Sequence, residues 1–406
     1  MNPAVLAVVL LAVLGHQANA HDPHELRQLG EAASDFAQKL QQQLARDNKE
    51  SLVLSPISIH SGLSMISLGA RNETAEEMER ILNLSPIPPS EAHVQYREIL
   101  TKLQSTQDVK VEITNAMLVR SDTPIEREFK NEAESKYLAR IESINVNQPE
   151  PEKQINEYIS QKTEGEIREL IKKGSIDART SVVVVSTISF NASFDKRFDE
   201  SKTSKEEFRC ENGKTAEVEM MNDTRSALLK RDEETDSDVL SMPFKNGRQS
   251  LVIVLPRKVG DLEKLEKQLS QPGKISKLVQ GLKQTTVQIA LPKFRIESRF
   301  QLKEKLGQMD MQRAFNPSSA DFSGISQSER LYISEVHHAA VIDVDENGTR
   351  AAAATLEEIE SKSHRETHEG PEEKFCADHG YMFVIYDNNN HQVIFQGKYT
   401  GPKESK

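Results

Sequence analysis

Cysteine and tryptophan are scarce in this sequence, which has two cysteines and no tryptophan in 406 residues. A disulfide framework needs several cysteines at close spacing, so disulfide bonds are not expected to hold this fold together. Zinc sites of the cysteine-rich kind are excluded for the same reason. Cys210 and Cys376 could form a single bridge, and the sequence leaves open whether they pair.

Long apolar runs are also missing, apart from one at the start of the chain. Residues 4–14 form an apolar run of eleven residues, which is too short to span a bilayer. Ala18, Asn19 and Ala20 follow it with the small-residue pattern of a cleavage site. Residues 1–20 are therefore predicted to be a secretory signal peptide. We expect residues 21–406 to be secreted, extracellular and without a membrane partner.

Positive charge is in the minority, because 52 Lys and Arg residues stand against 63 Asp and Glu residues, for a net charge of −11. This balance disfavours nucleic acid as a partner and disfavours a broad anionic membrane surface. The Lys and Arg residues form no dense cluster. The sequence gives no sign of a polysaccharide activator but leaves that question open.

The motifs of common catalytic and cofactor sites are missing as well. The glycine-rich patterns of nucleotide sites do not occur, and neither does the HExxH pattern of zinc proteases. No GxSxG elbow marks a serine hydrolase. We therefore predict no cofactor and no metal site, and we expect that the protein is not an enzyme.

The chain does contain a continuous mixture of helical and strand patterns. Residues 153–173 predict a helix with a charged outer face, and residues 299–306 predict another helix. Residues 181–190 form a β-branched run that is typical of a strand covered on both faces. Since no linker, repeat or change of composition interrupts this mixture, we predict a single α+β domain over residues 21–406.

Residues 345–363 allow two interpretations. Ala352, Leu356 and Ile359 recur at i, i+4 and i+7, which predicts one face of a helix. The stretch nevertheless lies between two β-rich apolar runs and lacks the wide apolar stripe of a core helix. Its small residues could instead slide between two strands of an existing sheet, and the two interpretations imply different functions.

Five N-x-[ST] sequons occur, at Asn72, Asn83, Asn191, Asn222 and Asn347. Asn72 and Asn222 lie in polar turn contexts, so these two are the glycosylation candidates in a secreted protein.

Motifs from about residue 29 to Pro402 resemble those of the serpin family. Any one of them is weak, but their common order and spacing make the resemblance strong. They include Ser55-Pro56-Ile57-Ser58, Asn115-Ala116, Lys162-Thr163-Glu164-Gly165, Pro292-Lys293-Phe294, Val336-His337-His338, Glu346-Asn347-Gly348-Thr349 and Phe395-Gln396-Gly397.

The resemblance implies the serpin fold, in which three β-sheets with surrounding helices carry an exposed reactive-centre loop, here about residues 346–374. In that family a serine protease cleaves the loop and forms an acyl-enzyme. The cleaved loop then inserts into the main sheet and traps the protease in a covalent complex. The implied hinge consists of Glu346, Gly348, Thr349, Arg350, Ala351, Ala352, Ala353 and Ala354, and Arg350 departs from the acidic residue more usual there.

The family's loop spacing, counted from Glu346, implies cleavage between Lys362 and Ser363. The alternative is the bond between Arg365 and Glu366. Either bond suits a trypsin-like protease, whose specificity pocket is acidic. The resemblance thus implies a monomeric, secreted inhibitor of a trypsin-like serine protease. The alternative function is that of a non-inhibitory member of the family that serves as a carrier or storage protein.

The resemblance also places Ser55, Asn191 and His337 in a buried polar network beneath the main sheet. Two features depart from the family pattern. The segment that begins at Asn191 looks about five residues short and lacks a tryptophan, and Gly380 stands where a proline is typical. Both lie near the place where the loop would enter the sheet, so we expect a loosened opening there.

Overall fold

A computed structural model describes residues 23–349 and 373–403. Its α-helices and strands are mixed along the chain, as the sequence patterns predict, although strands predominate among the described residues after the last α-helix. The helices are α1 (Pro23–Asp47), α2 (Pro56–Ser67), α3 (Asn72–Ile81), α4 (Pro89–Gln104), α5 (Arg127–Tyr137), α6 (Pro151–Lys162), α7 (Leu262–Leu269), α8 (Lys274–Val279) and α9 (Lys303–Gln308).

The strands range from two residues to eighteen residues in length. They are β1 (Leu52–Leu54), β2 (Val109–Arg120), β3 (Arg140–Ile144), β4 (Val182–Ser193), β5 (Ser204–Arg209), β6 (Thr215–Asp232), β7 (Ser237–Pro243), β8 (Gln249–Pro256), β9 (Lys283–Pro292), β10 (Phe294–Gln301), β11 (Ile333–Asp345), β12 (Gly348–Thr349), β13 (Glu373–Cys376), β14 (Tyr381–Asp387) and β15 (Gln392–Tyr399).

Two helix predictions were wrong in extent. The helix predicted over 153–173 ends at Lys162, because the Thr163 side chain caps the last turn and Gly165 takes a left-handed conformation with φ +81. The first three residues of the helix predicted over 299–306 belong to strand β10, which pairs with β11. Helical periodicity over so short a segment was outweighed by hydrogen bonding to a neighbouring strand.

Helix α4 was not predicted from the sequence, although a signal for it exists. Ala92, Tyr96, Ile99 and Leu103 are all buried and recur at helical spacing. Pro89 occupies the first turn, where its missing N–H costs nothing.

Six strands form one sheet, in the order β10-β11-β12-β4-β2-β3, with an additional pairing of β11 with β4. Hydrophobic residues cover both faces of this sheet. One face packs on the main core, which includes Val184 and Ile188 of β4, and the other face packs under α6, which contributes Ile155 and Ile159.

The remaining nine strands form a continuous hydrogen-bonded network. The long strand β6 belongs to two parts of that network. Its first third pairs with β5, its last residues pair with β7, and β9 runs along its other edge. Three sheets are therefore present, two of which share β6.

No helix within residues 23–349 and 373–403 is long and apolar enough to cross a membrane. Cys210 and Cys376 are both thiols, so they do not form the single disulfide bond that the sequence left open. Cys210 is half-buried, whereas Cys376 is exposed at the end of β13.

Candidate functional site

The centre of the six-stranded sheet is the boundary between β4 and β11, which we call the seam. These strands run parallel, and their pairing extends from Ile333 with Val182 to Val341 with Ser189. Beyond Val341 the two strands part, and β12 lies between them. Gly348 and Thr349 run antiparallel to both neighbours, with Thr349 opposite Ala192 of β4 and Val344 of β11. The chain therefore already enters the seam from one end.

Two residues fit this place for different physical reasons. Gly348 has φ +142, and a Cβ there would overlap the carbonyl oxygen of Ala192, so a side chain is excluded. The Thr349 side chain is fully buried, and its Oγ1 accepts a hydrogen bond from the Ala192 N–H at 3.1 Å. The predicted hinge thus begins as a strand, which supports the strand interpretation of this stretch over the helix interpretation as far as Thr349.

Most of the predicted reactive-centre loop lies outside the described residues. Of the predicted hinge, only Glu346, Gly348 and Thr349 lie within the described residues. The other members lie outside them, as do both predicted reactive bonds. These residues are Arg350, Ala351, Ala352, Ala353, Ala354, Lys362, Ser363, Arg365 and Glu366.

Glu346 anchors the chain where it turns into the seam. Its carboxylate accepts a hydrogen bond from Thr203 Oγ1 at 2.7 Å and forms an ion pair with Lys293 Nζ at 3.1 Å. Burial raises the pKa of Glu346, but the hydrogen bonds from Thr203 and Lys293 outweigh burial and the net pKa is lowered. The backbone of Glu346 also takes part, because its carbonyl accepts the N–H of Phe198 at 2.8 Å.

The segment after β4 is well packed, which gives no support to the loosening expected of it. Phe194 stacks on Phe244 with 5.5 Å between ring centroids and meets the edge of Phe198. The Arg225 guanidinium lies 4.0 Å above the Phe198 ring and donates hydrogen bonds to the carbonyls of Lys196 and Arg197. Three phenylalanine rings and a stacked arginine therefore pack this segment, which contains no tryptophan.

A buried polar network lies beneath the seam, on the side of the main core. Ser55 caps helix α2, and its N–H donates to His338 Nε2 at 3.1 Å. On its other side His338 Nδ1 lies 3.0 Å from the carbonyl oxygen of Ser186 and 3.1 Å from the Ser186 hydroxyl. His338 therefore joins α2, β4 and β11 through one neutral ring, with its proton on Nδ1.

Two of the three predicted network residues were wrong. His338 takes the place predicted for His337, because neighbouring residues of a strand point to opposite faces of the sheet. His337 faces the outer side, beneath the segment that follows α6. Ser186 takes the place predicted for Asn191. The segment after β4, counted from Asn191 in the sequence, looked about five residues short of the family pattern. Counted from Ser186, which lies five residues earlier and is the true network residue, the segment has no shortfall.

The contacts around residue 380 explain why a glycine stands there in place of the proline typical of the family. A Cβ at that position would overlap the carboxylate of Glu211, which lies half-buried against the Gly380 backbone. Burial raises the pKa of Glu211, and the nearby His379 and Lys398 oppose that effect. A proline at 380 would require Glu211 to move.

The two glycosylation candidates differ in accessibility. Asn72 is exposed at the start of α3, although its Nδ2 donates to Asp321 Oδ2 at 2.7 Å. Asn222 lies within β6 rather than in a turn, is half-buried, and uses its Nδ2 in a 2.8 Å hydrogen bond to Glu206 Oε1. A glycan attached to that nitrogen would disturb these contacts, so Asn72 is the better candidate.

Within the described part of the chain, no group of three or more His, Cys, Asp and Glu side chains is placed to hold a metal ion.

Comparison with known proteins supports a family assignment over nearly the whole chain. A family model described as Serpin (serine protease inhibitor) matches residues 31–402. An uncharacterized serpin-like protein of Thermococcus kodakarensis is 33% identical over 377 residues, which cover 92% of this chain and 85% of the relative.

Two solved structures show the same fold. Serpin48 of the insect Tenebrio molitor superposes with a TM-score of 0.83 at 26% identity and covers 96% of this chain and 100% of its own. Human thyroxine-binding globulin in complex with thyroxine superposes with a TM-score of 0.85 at 26% identity and covers 94% and 100%. The fold predicted from the motifs is thereby confirmed.

Replacing the seam anchor should destabilise the native state. We expect Glu346→Ala to lower stability by about 2–3 kcal/mol, because a buried carboxylate bonded to Lys293 and Thr203 is lost. Glu219→Ala is the matched control, since Glu219 also faces Lys293, at 3.7 Å, but is 63% exposed. The urea midpoint of native unfolding measures both, and equal midpoints for the two variants would contradict the anchor role.

The network histidine should make stability depend on pH. Burial lowers the pKa of His338 from 6.5 to about 3. Its contribution is therefore complete above pH 6.5 and is lost as the pH falls from 6.5 towards 3, at up to about 1.4 kcal/mol per pH unit. Between pH 6 and pH 4 we expect the free energy of unfolding of the His338→Gln variant to fall by about 2 kcal/mol less than that of the parent protein. Urea unfolding at both pH values measures this, and parallel losses in parent and variant would refute it.

Proposed function

The chain belongs to the serpin family, and we propose that it is a secreted suicide-substrate inhibitor of a trypsin-like serine protease. The protease attacks the reactive-centre loop at Lys362-Ser363, and the acyl-enzyme is trapped when the loop inserts into the seam. The predicted signal peptide supports secretion, and we propose that the mature chain acts as an extracellular monomer. The observation that carries the proposal is β12, which already lies between β4 and β11.

The pairing of β12 fixes the register in which the loop would continue. Thr349 lies opposite Ala192, and antiparallel strands pair one residue further with one residue earlier. Continued insertion brings Ile359 opposite Val182, the first residue of β4. The seam therefore ends three residues before Lys362, so nearly the whole segment before the scissile bond becomes strand. About ten residues of new pairing supply on the order of ten kcal/mol at about 0.5–1.5 kcal/mol for each hydrogen bond.

The same register explains why the residues after Thr349 are small. Every second residue faces the main core, which places Ala351 opposite Phe190 and Ala353 opposite Ile188, both buried. Thr355 would then lie opposite Ser186 of β4 and His338 of β11. A hydroxyl group would enter the polar network at the point where its two strands separate, and would offer those groups a hydrogen-bonding partner.

Arg350 is compatible with insertion in this register. It would face the outer side of the sheet, opposite Asn191 of β4 and Asp343 of β11. Asp343 is partly exposed and already pairs with Arg295 at 3.1 Å. A second arginine can share that carboxylate, so the departure from an acidic residue does not block insertion.

Glu357 supports the alternative of a non-inhibitory carrier or storage protein. In this register it would face the main core between Val184 and Val336, each 1% exposed. An unpaired carboxylate in such surroundings is costly, so insertion could stop short of completion. Thyroxine-binding globulin, a structural neighbour, was solved with thyroxine bound. The inhibitory function is the better supported, because Thr349 to Thr355 all suit the seam.

Incubation with trypsin tests the proposed function directly. We expect an SDS-stable covalent complex and a fragment that begins at Ser363, because cleavage triggers insertion before the acyl-enzyme is hydrolysed. Lys362→Ala should abolish complex formation, whereas Arg365→Ala is the matched control and should retain it. Simple cleavage without a complex, and without a gain in thermal stability, would sink the proposal. The reverse dependence on the two residues would move the reactive bond to Arg365-Glu366.

Removing the core-facing carboxylate should improve inhibition. We expect Glu357→Ala to lower the number of inhibitor molecules consumed per protease trapped and to stabilise the cleaved form by about 3 kcal/mol, because an unpaired buried charge is removed. Glu360→Ala is the matched control, since residue 360 falls beyond the first residue of β4. Titration against trypsin and urea unfolding of the cleaved chain measure both effects. Equal behaviour of the two variants would show that the loop does not follow the register of β12.

A further inference from the structure

A cavity of about 400 Å³ lies on the outer face of the six-stranded sheet. One side of the cavity is formed by β10 and β11, which contribute Arg299 and His337. Its cover is the segment that follows α6, residues 163–176, which we call the roof segment and which contributes Leu170 and Lys172. The cavity is separate from the polar network, which lies on the opposite face of the sheet.

Among the described residues that line this cavity, His337 has an unsatisfied polar atom. Its side chain is 1% exposed, and among the described residues its Nδ1 has no hydrogen-bond partner. Burial alone lowers the pKa of His337 from 6.5 to about 4, so the ring is neutral at pH 7. A neutral imidazole carries one donor and one acceptor, and a buried polar group of this kind costs free energy until it is bonded.

Two of the side chains that line the cavity, Lys172 and Arg299, are cationic, and one, Glu169, is acidic. Lys172 is exposed on the roof segment. Arg299 donates to Glu297 and to the carbonyl of Glu169, which uses three of the five N–H groups of a guanidinium. An anionic group beside Lys172 and Arg299 can therefore meet an ammonium and the remaining guanidinium N–H groups, while an apolar body lies against Leu170.

The cavity is built from both sides of the seam. The roof segment is fixed to α6, because Asn156 of α6 bonds to the backbone of Leu170 and Ile171 at 2.8–3.0 Å. Helix α6 packs on β2, on the β4 side of the seam. His337 and Arg299 belong to the β11 side. Insertion of one strand moves neighbouring strands about 4.8 Å further apart, so the two walls cannot both keep their places.

We propose that this cavity binds a small organic carboxylate, with the carboxylate at Lys172 and Arg299 and hydrogen-bonded to the His337 Nδ1 that lacks a partner among the described residues, and with the apolar body against Leu170. Because the bound molecule touches both sides of the seam, it binds the closed sheet better than the opened sheet. By linkage it therefore slows loop insertion. The effect on insertion rests on the proposed inhibitory function, whereas the binding itself does not.

The binding is tested with benzoate as the probe on the intact mature chain carrying ¹³C,¹⁵N-labelled histidine. We expect the His337 ring resonances, assigned by their loss in His337→Gln, to shift saturably with benzoate. Lys172→Ala should weaken benzoate binding about tenfold, because a charge-assisted contact is lost. Lys173→Ala is the matched control and should bind as the parent does. No saturable shift, equal binding by Lys172→Ala, or equal binding of uncharged benzamide would overturn the proposal.

The chain cleaved in the loop separates this proposal from the proposed function. We expect the cleaved chain to lose the benzoate-induced shift of His337, because an inserted strand has separated the walls of the cavity. If the intact chain binds benzoate and the cleaved chain binds it equally, the cavity is a ligand site but the coupling to insertion is refuted. If neither form binds benzoate, the ligand site is refuted and the inhibitory function stands independently.

Discussion

The structure depends on the pairing of two parallel strands, β4 and β11, at the centre of the six-stranded sheet. β4 and β11 satisfy each other's backbone groups from Ile333 to Val341, and at their far end they part around Gly348 and Thr349. A strand that enters antiparallel to both replaces one row of hydrogen bonds with two. Under the proposed insertion, the opened and refilled seam would therefore have more hydrogen bonds than the closed seam, and a kinetic barrier would keep the native seam closed. The contacts of Glu346 and His338 both lie on this boundary.

The sequence was informative wherever periodicity and burial agree. The β-branched run of residues 181–190 predicted a strand covered on both faces, and the structure has β4 there with most of its residues buried. The sequence was less informative where the question is which of two neighbouring residues of a strand faces the core. His337 and His338 are adjacent and chemically identical, so the pattern could not say which of them faces the polar network. The structure assigns His338 because its ring lies between Ser55 and Ser186.

Asn191 shows a second limit of sequence reasoning. An asparagine after a buried strand suits a polar network, whereas Ser186 is hidden inside the β-branched run itself. Only the pairing of β4 with β11, which puts Ser186 opposite His338, identifies the serine. The Phe194 and Phe198 contacts were likewise beyond the sequence, because the stack on Phe244 joins residues fifty positions apart. The missing tryptophan therefore does not imply a loose opening.

The central claim is that the loop continues from β12 into the seam in the register that Thr349 begins. The most direct measurement is a crystal structure of the chain after cleavage in the loop. We expect β4 and β11 to be separated by a new strand antiparallel to both, with Thr355 between Ser186 and His338. A cleaved chain in which His338 still pairs with Ser186 across an unbroken seam would contradict the account.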